Sequence, residues 1–523
     1  MNKLGTKRVF IPNIVPETII EEFINLGFEI IRDGITIMGS YIGSPDYMNQ
    51  MLQKETNEII NLIDDIKGLT IPDDNGCHLT FAKALLLISK SVNGEFIYSL
   101  RTNPPEYTKP WAEVIDRAIV DMINFVQERD PRKFSESQNK LFGKQIFSPK
   151  WCGGMGFKSM KHIADAAYIG SICLIGHTAT LIDPSLGQNS ESAFVEYKRS
   201  IDFMKQLLGN KFDVNQYSIQ KVAQNQMPGV QKEITALLNA KKNQQLDFTI
   251  DNYDPVVNGA NENARRILKI NHKSNKDEIV HAWLSHWNLS NIDLCHNIRR
   301  LVHMNLMNDV TRCDGCNDFL DGYGDHCNNC PNPRMRNPTC LHTTAKKGLI
   351  RGLKLLEAEA AKIDDVEITV SNTEPNLEDN GFTVVSNVNI PATLKRADIY
   401  VQVKEISFLI DVTTSSPMKI SYQNQNAIYT PGKVGKDVEE TKRKNYSRYF
   451  DIKNLPQNTK FVAFGMDTMG ALGPEAIKFL KDICNYFPND IRAQLKYRMT
   501  ILLSTYIRRG KRFATEAIRN GLH

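Results

Sequence analysis

Apolar residues recur at helical spacing along most of the chain before residue 311. Residues 47–69, 81–90 and 112–126 each place an apolar side chain at every third or fourth position, which is the period of an amphipathic helix. A similar pattern fills most of residues 186–250, and the polar run at 241–264 is typical of an exposed connector. These patterns predict a mostly helical N-terminal half.

The pattern changes after residue 345, where short β-rich runs alternate with helical ones. Two runs rich in β-branched and aromatic residues are separated only by Lys404–Glu405, which predicts a β-hairpin. The predicted elements are a helix at 346–363, strands at 395–403, 406–414 and 460–466, and helices at 433–450 and 474–484. We therefore expect a small α/β module here, followed by a basic C-terminal helix.

Composition narrows the class of protein further. A chain of 523 residues predicts two to four folded units rather than one core. Hydrophobic residues make up 41% and charged residues 24%, no apolar run approaches the length of a membrane span, and the N-terminus has no secretory signal. The net charge of +5 is compatible with a nucleic-acid partner but is no argument for one. We expect an intracellular protein without a membrane partner.

Five of the ten cysteines fall within 28 positions, at Cys313, Cys316, Cys327, Cys330 and Cys340. Two CxxC pairs with intervening glycines suit a tetrahedral zinc ion, because each pair supplies two thiolates from one tight turn. Reduced cysteines in a hydrophilic loop are the weaker interpretation, since such a loop offers them nothing to bury. The four ligands are either four cysteines, or three cysteines with His326 in place of Cys327. A closed site of this kind is structural.

Two carboxylates in the β-rich half form a candidate site for a second metal. Asp398 and Asp411 are separated by twelve residues and lie in adjacent predicted strands. A carboxylate buried among apolar neighbours is costly unless it is paired or binds a metal, and two converging carboxylates suit Mg²⁺. Glu374 could add a third oxygen ligand. The alternative is that both aspartates are solubilising residues on edge strands.

The charged helix at 433–450 offers cations and a phenol near these strands. Lys442, Lys444 and Tyr446 could orient a water molecule or neutralise charge that develops on a phosphate. Lys442 and Tyr446 are four residues apart and therefore share one helical face, whereas Lys444 points elsewhere. The alternative is a solvated basic face with no role in chemistry.

Several motifs resemble, in the same order, those of site-specific non-LTR retrotransposons, in which a zinc knuckle precedes a restriction-enzyme-like endonuclease. The motifs are Cys-x2-Cys-x9-His-x3-Cys at 313–330, LHTTAKKGLIRGL at 341–353, Glu374–Pro375, Arg396–Ala397–Asp398, Asp411–Val412–Thr413, Lys442 with Tyr446, and FVAFGMDTMGALGPEAIKFL at 461–480. Two positions depart from the family's pattern: Ala397 replaces a proline, and Leu341 replaces the arginine before the histidine.

The resemblance implies a Mg²⁺-dependent DNA endonuclease that also carries a structural zinc ion. It implies that Cys313, Cys316, His326 and Cys330 bind zinc, that Asp398 and Asp411 bind Mg²⁺ with help from Glu374, that Lys442 positions the water, and that Tyr446 lies against the substrate backbone. Many restriction-like nucleases carry the catalytic lysine two residues after the second acid, where this chain has Thr413. Of the downstream candidates Lys419, Lys442 and Lys444, we expect Lys442 to take that role.

The N-terminal half resembles reverse transcriptases of the same elements. Residues 33–48, which predict a strand and a tight turn, are similar to the segment after the polymerase palm, and residues 100–116 and 148–172 are similar to the thumb and connector. The palm's aromatic-x-Asp-Asp motif would precede residue 1. Asp64–Asp65 does not replace it, because that pair lies on a helical pattern without the aromatic residue. We expect no reverse transcription by this chain.

The sequence therefore predicts a multidomain α+β protein with a mostly helical N-terminal half, a zinc knuckle and a restriction-endonuclease-like α/β module. The predicted units are a post-palm and thumb-like remnant at 1–185, a helical connector at 186–310, the zinc knuckle at 311–345, the nuclease domain at 346–490 and a basic helix at 491–523. We expect DNA as a partner, the element's RNA as a second candidate partner, and a nuclear location. The alternative function is a non-catalytic remnant that binds nucleic acid.

Overall fold

A computed structural model shows that the protein mixes many helices with three small sheets. The structure describes residues 8–10, 15–72, 76, 78–150, 154–184, 186, 194–252, 289–301, 338–363, 366–371, 397–416, 422, 432–447, 455 and 458–519. The mixture of helices and strands predicted from the sequence is confirmed for these residues.

The elements before residue 302 are mostly helices. They are β1 (Arg8–Phe10), α1 (Glu17–Asn25), β2 (Glu29–Ile31), β3 (Gly34–Ile37), β4 (Ser40–Gly43), α2 (Pro45–Gly68), α3 (Phe81–Leu87), α4 (Asn93–Glu95), α5 (Ile97–Thr102), α6 (Pro105–Val126), α7 (Glu136–Ile146), α8 (Met160–Ile182), α9 (Val195–Leu208), α10 (Ile219–Gln224), α11 (Val230–Asp251) and α12 (Asn291–Leu301). A π-helical turn, Ile88–Val92, joins α3 to α4. Short 3-10 helices lie at Pro131–Lys133, Gly209–Lys211 and Val214–Tyr217.

The elements after residue 337 surround one four-stranded sheet. They are α13 (Pro338–Ala360), β5 (Ile368–Ser371), β6 (Ile399–Val403), β7 (Ile406–Ser415), α14 (Lys433–Ser447), β8 (Thr459–Asp467), α15 (Pro474–Cys484) and α16 (Asn489–Arg519). Helix α13 begins eight residues before the predicted position 346, because Leu341 and Ala345 continue the apolar stripe that packs on the sheet.

The predicted strand and tight turn near residue 40 form the hairpin β3–β4. Met38 and Gly39 make its turn and both have positive φ, of 50° and 82°. Helix α2 begins directly after the hairpin, where the Ser44 hydroxyl accepts a hydrogen bond from the Tyr47 amide and Pro45 occupies the first turn. The apolar residues that α2 buries recur every three, four or seven positions, as predicted: Leu52, Ile59, Ile63 and Ile66.

Helices α8 to α11 share a second apolar core. Ala166, Ile169 and Cys173 of α8 pack against α9 and α11. The sequence predicts an exposed connector from residue 241, and this is wrong for residues 241–251, which continue α11 and bury Leu246 and Ile250. The polar residues 241–245 lie between the buried Leu238 and Leu246, so a window over 241–245 alone misses the helical period.

Among the described residues, one helix is long and apolar enough to cross a membrane, and this is α8. Nine of its residues are buried against neighbouring helices. A core helix passes the same test of length and composition, so one such helix is weak evidence for a membrane span. The expectation of no membrane partner is compatible with this finding.

The strands of the larger sheet follow the order β5–β6–β7–β8. The β5–β6 and β6–β7 pairs are antiparallel, and the β7–β8 pair is parallel. Lys404 and Glu405 form the turn of the β6–β7 hairpin, with Lys404 at a φ of 53°, which confirms the predicted hairpin. Helix α14 lies between β7 and β8 in the chain and packs on both of them.

The two faces of this sheet are covered differently. One face, with Phe408, Ile410 and Val412 of β7, packs against α13, α15 and α16 in a single core. The opposite face, with Leu409 of β7 and Phe461 of β8, packs against Tyr446 of α14. Helix α16 contributes four buried apolar side chains to the first core: Leu495, Met499, Leu503 and Ile507. The helix predicted as a separate C-terminal unit is therefore part of the module's core.

Helix α12 connects the helical half to this module. Its Asp293 is almost fully buried and accepts from Arg512 Nε at 2.6 Å and from Arg509 Nε at 3.3 Å, both on α16. On its other side, Asn291 Oδ1 accepts a hydrogen bond from the Phe81 amide at 2.8 Å, and Cys295 contacts the Val126 carbonyl. The C-terminal helix is thus held by charged contacts to the N-terminal half as well as by the sheet.

Candidate active site

The two aspartates predicted from the sequence lie side by side at one end of the sheet. The Asp398 amide donates a hydrogen bond to the Ile410 carbonyl at 2.9 Å, and the register pairs Ile399 with Ile410. Asp398 therefore stands opposite Asp411 on the neighbouring strand, and their carboxyl groups are within hydrogen-bond contact. Asp398 is 9% exposed and Asp411 is 4% exposed, so both carboxyl groups are largely shielded from water.

Asp398 is held by donors from two elements. The Val412 amide donates to Asp398 Oδ2 at 2.8 Å, and His342 Nε2 lies 3.1 Å from the same oxygen. Lys346 Nζ lies 3.5 Å from Oδ1. Burial opposes ionisation of Asp398, but the hydrogen bonds with His342 and Asp411 outweigh it and hold the pKa of Asp398 below its usual range. The hydrogen bond with Asp398 in turn raises the pKa of His342.

Asp411 is held by helix α14. Lys442 Nζ donates to Asp411 Oδ2 at 2.8 Å, and the Tyr446 hydroxyl is in hydrogen-bond contact with the same carboxyl group. Burial and the neighbouring Asp398 raise the pKa of Asp411, and Lys442 works in the opposite direction. Burial also raises the pKa of Tyr446, which therefore stays protonated and able to donate.

Lys442 and Lys444 of α14 differ as predicted. Lys442 and Tyr446 lie on the face that packs over the strands, with Lys442 Nζ 5.9 Å from the centre of the Tyr446 ring. Lys444 is exposed on the opposite side of the helix. Thr413, at the position where many restriction-like nucleases carry a lysine, is only half-buried and has no charge to offer. The cation beside the second acid therefore comes from α14.

Other predicted site residues lie outside the described residues. They are Glu374, the zinc candidates Cys313, Cys316, His326, Cys327 and Cys330, and the alternative cation Lys419. The zinc knuckle and the third acid therefore stay predictions.

His342 and Lys346 are site residues that the sequence reasoning did not select. They are four residues apart on α13, so they share one helical face and both reach Asp398. Their helix was noted through its resemblance to a family motif, but no local pattern links it to an aspartate that lies 56 positions later. Apart from that resemblance, the sequence signal is their position beside the apolar stripe of Leu341, Ala345 and Leu349, which is buried.

Glu439 is a second residue that sequence reasoning missed, and it fixes the position of α14. Its carboxyl group is 3% exposed and accepts hydrogen bonds from three amides: Gly465 of β8 at 3.3 Å, and Glu475 and Ala476 of α15 at 3.0 and 2.9 Å. No side chain of its own segment caps the first turn of α15, so Glu439 supplies that cap from another helix.

Glycines allow the elements around Glu439 to approach closely. A Cβ atom at Gly473 would lie 2.2 Å from Glu439 Oε1, and one at Gly465 would lie 2.4 Å from the Gly435 carbonyl oxygen. A Cβ atom at Gly435 would in turn lie 2.3 Å from the Gly473 nitrogen. Helix α14, strand β8 and the start of α15 therefore meet at a point where only glycine fits. This contact sets how Lys442 is presented to Asp411.

The donor atoms at the site fit a magnesium ion. Among the residues that the structure describes, no three His, Cys, Asp or Glu side chains form a metal-binding group. Mg²⁺ does not need such a group, because proteins commonly bind it through one or two carboxylates, with water and substrate phosphates completing the octahedron. Asp398 and Asp411 supply two carboxylates in contact with each other, which fits that arrangement.

Comparison with known proteins gives no identification. No protein-family model matches the chain, and no curated protein matches it significantly.

Proposed function

We propose that the protein is a metal-dependent endonuclease that nicks DNA. The observation that carries this proposal is the pair of buried carboxylates, Asp398 and Asp411, with the Lys442 ammonium group 2.8 Å from Asp411. Solubilising acids on an edge strand would face water, whereas these two are buried and face each other, with α13 beside Asp398 and α14 beside Asp411. Two carboxylates with an adjacent cation are the groups that phosphodiester hydrolysis needs.

Asp398 and Asp411 are the residues that would hold Mg²⁺, which supplies Lewis-acid polarisation of the phosphodiester and a water of lowered pKa. His342 and the Val412 amide fix the orientation of Asp398 by holding its Oδ2 atom. Lys442 provides the positive charge in contact with Asp411. We assign it the role of orienting the attacking water molecule or of stabilising the phosphate oxygens that gain negative charge. The Tyr446 hydroxyl group contacts the Asp411 carboxyl group by a hydrogen bond and so helps to hold it in place.

The 523-residue chain is expected to nick supercoiled DNA when Mg²⁺ or Mn²⁺ is present and to leave it intact when no divalent metal is added. The appearance of nicked circles on a gel is the measurement. A parallel preparation of Asp411→Asn controls for contaminating nucleases, because Asn keeps the shape of the side chain and removes its charge. DNA binding by both preparations without nicking by either would reject the nuclease and favour the non-catalytic alternative.

We also propose a structural zinc ion, supported by the spacing of Cys313, Cys316, His326 and Cys330. Metal analysis of the purified chain should return about one equivalent of zinc, and Cys313→Ser should lose it, because a closed tetrahedral site needs all four ligands. His326→Ala should also lose it, whereas Cys327→Ser should not. The reverse result for these last two variants would show that four cysteines bind the ion.

A further inference from the structure

Helix α12 is packed into the helical half, although one of its faces contacts the module that contains the four-stranded sheet. Leu294 and Ile298 are buried in the apolar core that α2, α3 and α6 share. Arg299 Nη2 donates a hydrogen bond at 2.8 Å to the carbonyl of Gln127, which ends α6. These contacts hold α12 against α6, so the face of α12 that meets the module has a fixed position.

Asp293 lies on that face and is 2% exposed. Its carboxylate accepts hydrogen bonds from the Ser290 hydroxyl at 2.8 Å, and from Arg512 Nε and Arg509 Nε of α16 at 2.6 and 3.3 Å. A buried ion pair adds little net stability, because the cost of removing its charges from water offsets their attraction. The best-supported role of such a pair is to fix one arrangement of the elements that carry it. Asp293 therefore fixes where α16 lies relative to the helical half.

The same part of α16 packs tightly on α13. Gly510 follows Arg509 in the chain, and a Cβ atom at Gly510 would collide with Thr344 Oγ1 of α13. A Cβ atom at Gly348 of α13 would lie 2.7 Å from Tyr506 Cβ of α16. Because these two helices are in such close contact, a shift of α16 at this point must move α13 with it.

This part of α13 also carries the side chains that hold Asp398. His342 Nε2 lies 3.1 Å from Asp398 Oδ2, and Lys346 Nζ lies 3.5 Å from Asp398 Oδ1. Thr344 is two residues from each of them, so it lies on a different face of the helix, and that face meets α16. One side of α13 is thus fixed by α16, and the other side holds the Asp398 carboxylate.

We propose that Asp293 is a positioning residue for the site at Asp398 and Asp411. It fixes α16 to the helical half, and α16 fixes the part of α13 from which His342 and Lys346 hold Asp398. Partners outside the ligand shell commonly change metal affinity or activity about 10- to 100-fold. The effect on nicking rests on the proposed function, whereas the mechanical link from α12 to α13 does not.

Hydrogen exchange of the metal-free 523-residue chain tests this link without any nicking. Asp293→Asn keeps the size of the side chain and removes its charge. We expect peptides from residues 341–349 to exchange about tenfold faster in this variant, because α16 loses the anion that holds two arginines, while peptides from residues 459–467 of β8 exchange as in the wild type. Equal acceleration of both sets would mean that the ion pair only stabilises the module. That result, or unchanged exchange of residues 341–349, would overturn the proposal.

Arg509 supplies a second variant from the opposite side of the contact, and Glu359 supplies the matched control. The Arg509 side chain is partly exposed, so Arg509→Gln carries little risk to folding and should also accelerate exchange of residues 341–349. Arg509→Lys keeps the charge and should exchange nearly as the wild type does. Glu359→Gln removes a more exposed ion pair, between α13 and Arg498 of α16, and should have little effect. An effect of the control as large as that of Asp293→Asn would overturn the proposal.

The consequence for the site is measured as the Mg²⁺ concentration that gives half-maximal nicking. Asp293→Asn should raise this concentration about tenfold and leave the Kd for DNA unchanged, because a displaced Asp398 binds the metal less well. A variant that is merely less stable would nick more slowly at every Mg²⁺ concentration and keep the midpoint of the wild type, and this result would overturn the positioning role. If the wild type does not nick, the proposed nuclease fails, and the exchange comparison still decides whether Asp293 positions α13.

Discussion

Replacing Lys442 by alanine is expected to abolish metal-dependent nicking while leaving DNA affinity nearly unchanged. Lys442 is the cation in contact with Asp411, at 2.8 Å, and the position two residues after Asp411, where many restriction-like nucleases carry a lysine, is occupied by the uncharged Thr413. Removing a donor aimed at charge that develops in the transition state typically costs on the order of 10² to 10³ in rate. The single-turnover nicking rate and the Kd for DNA, measured on the same preparation, test both parts.

Lys444 provides the matched control for Lys442, because it lies on the same helix, has the same charge and faces solvent. Lys444→Ala should weaken DNA binding slightly and flatten its salt dependence, with little change in the nicking rate of bound DNA. Equal small effects from the two substitutions would mean that the whole helix is a solvated basic face. Loss of DNA binding in Lys442→Ala would instead make this lysine a phosphate contact rather than a catalytic residue.

Replacing Glu439 by alanine is expected to destabilise the sheet module by roughly 3 kcal/mol, because three amides lose their buried acceptor and each such loss costs about 1–3 kcal/mol. Hydrogen exchange of peptides from residues 459–484 reports this opening directly, and an increase in exchange of about 100-fold corresponds to that energy. The control is Glu440→Ala on the same helix, where an exposed pair with Lys436 is lost. Similar exchange in both variants would contradict the capping role.

Glu439 also makes the stability of this module depend on pH. Burial raises the pKa of Glu439 from 4.5 to about 7, and the amide hydrogen bonds offset only part of that rise. A carboxyl group with a raised pKa in the folded state stabilises it below pH 4.5 and loses that contribution as the pH rises through about 7. Since glutamine does not titrate, the exchange rate of the wild type relative to Glu439→Gln should increase between pH 5 and pH 8. A constant ratio would show that Glu439 stays ionised.

The sequence predicted individual helices and strands, and the pairing of strands that are adjacent in the chain, because both depend on short-range patterns. The β6–β7 hairpin follows from two β-rich runs around Lys404–Glu405, and that hairpin brings Asp398 opposite Asp411. The helical spacing of Lys442 and Tyr446 correctly predicted that both would face the strands. In each case the relevant period or turn lies within about a dozen residues.

Contacts between distant segments could not be predicted in the same way. His342 and Lys346 reach Asp398 from a helix far upstream, and nothing in the residues of that helix encodes the partner. The charged residues around Glu439 are typical of a solvent-exposed helical face. Packing against Gly465 and Gly473 nevertheless buries Glu439, and it caps α15. Such positions depend on how whole elements pack, which periodicity alone does not specify.

The same kind of cap occurs in the helical half. Asp116 of α6 accepts from the Ser159 hydroxyl at 2.6 Å and from the Met160 amide at 2.7 Å, at the first turn of α8. Burial raises the pKa of Asp116 to about 6. In both halves a buried carboxyl group thus fixes one helix to the start of another. In both cases the acid lies within an amphipathic helical pattern that does not indicate a capping role.

Because α16 covers one face of the sheet, the module cannot complete its core during synthesis until that helix has left the ribosome. A chain stopped before Asn489 would leave uncovered the side chains of α13 that face Leu495, Met499 and Leu503. Such a product would expose apolar surface and be a target for aggregation or degradation. Nonsense mutations late in the gene should therefore remove the proposed nuclease activity as completely as early ones, although Asp398, Asp411 and Lys442 would all have been synthesised.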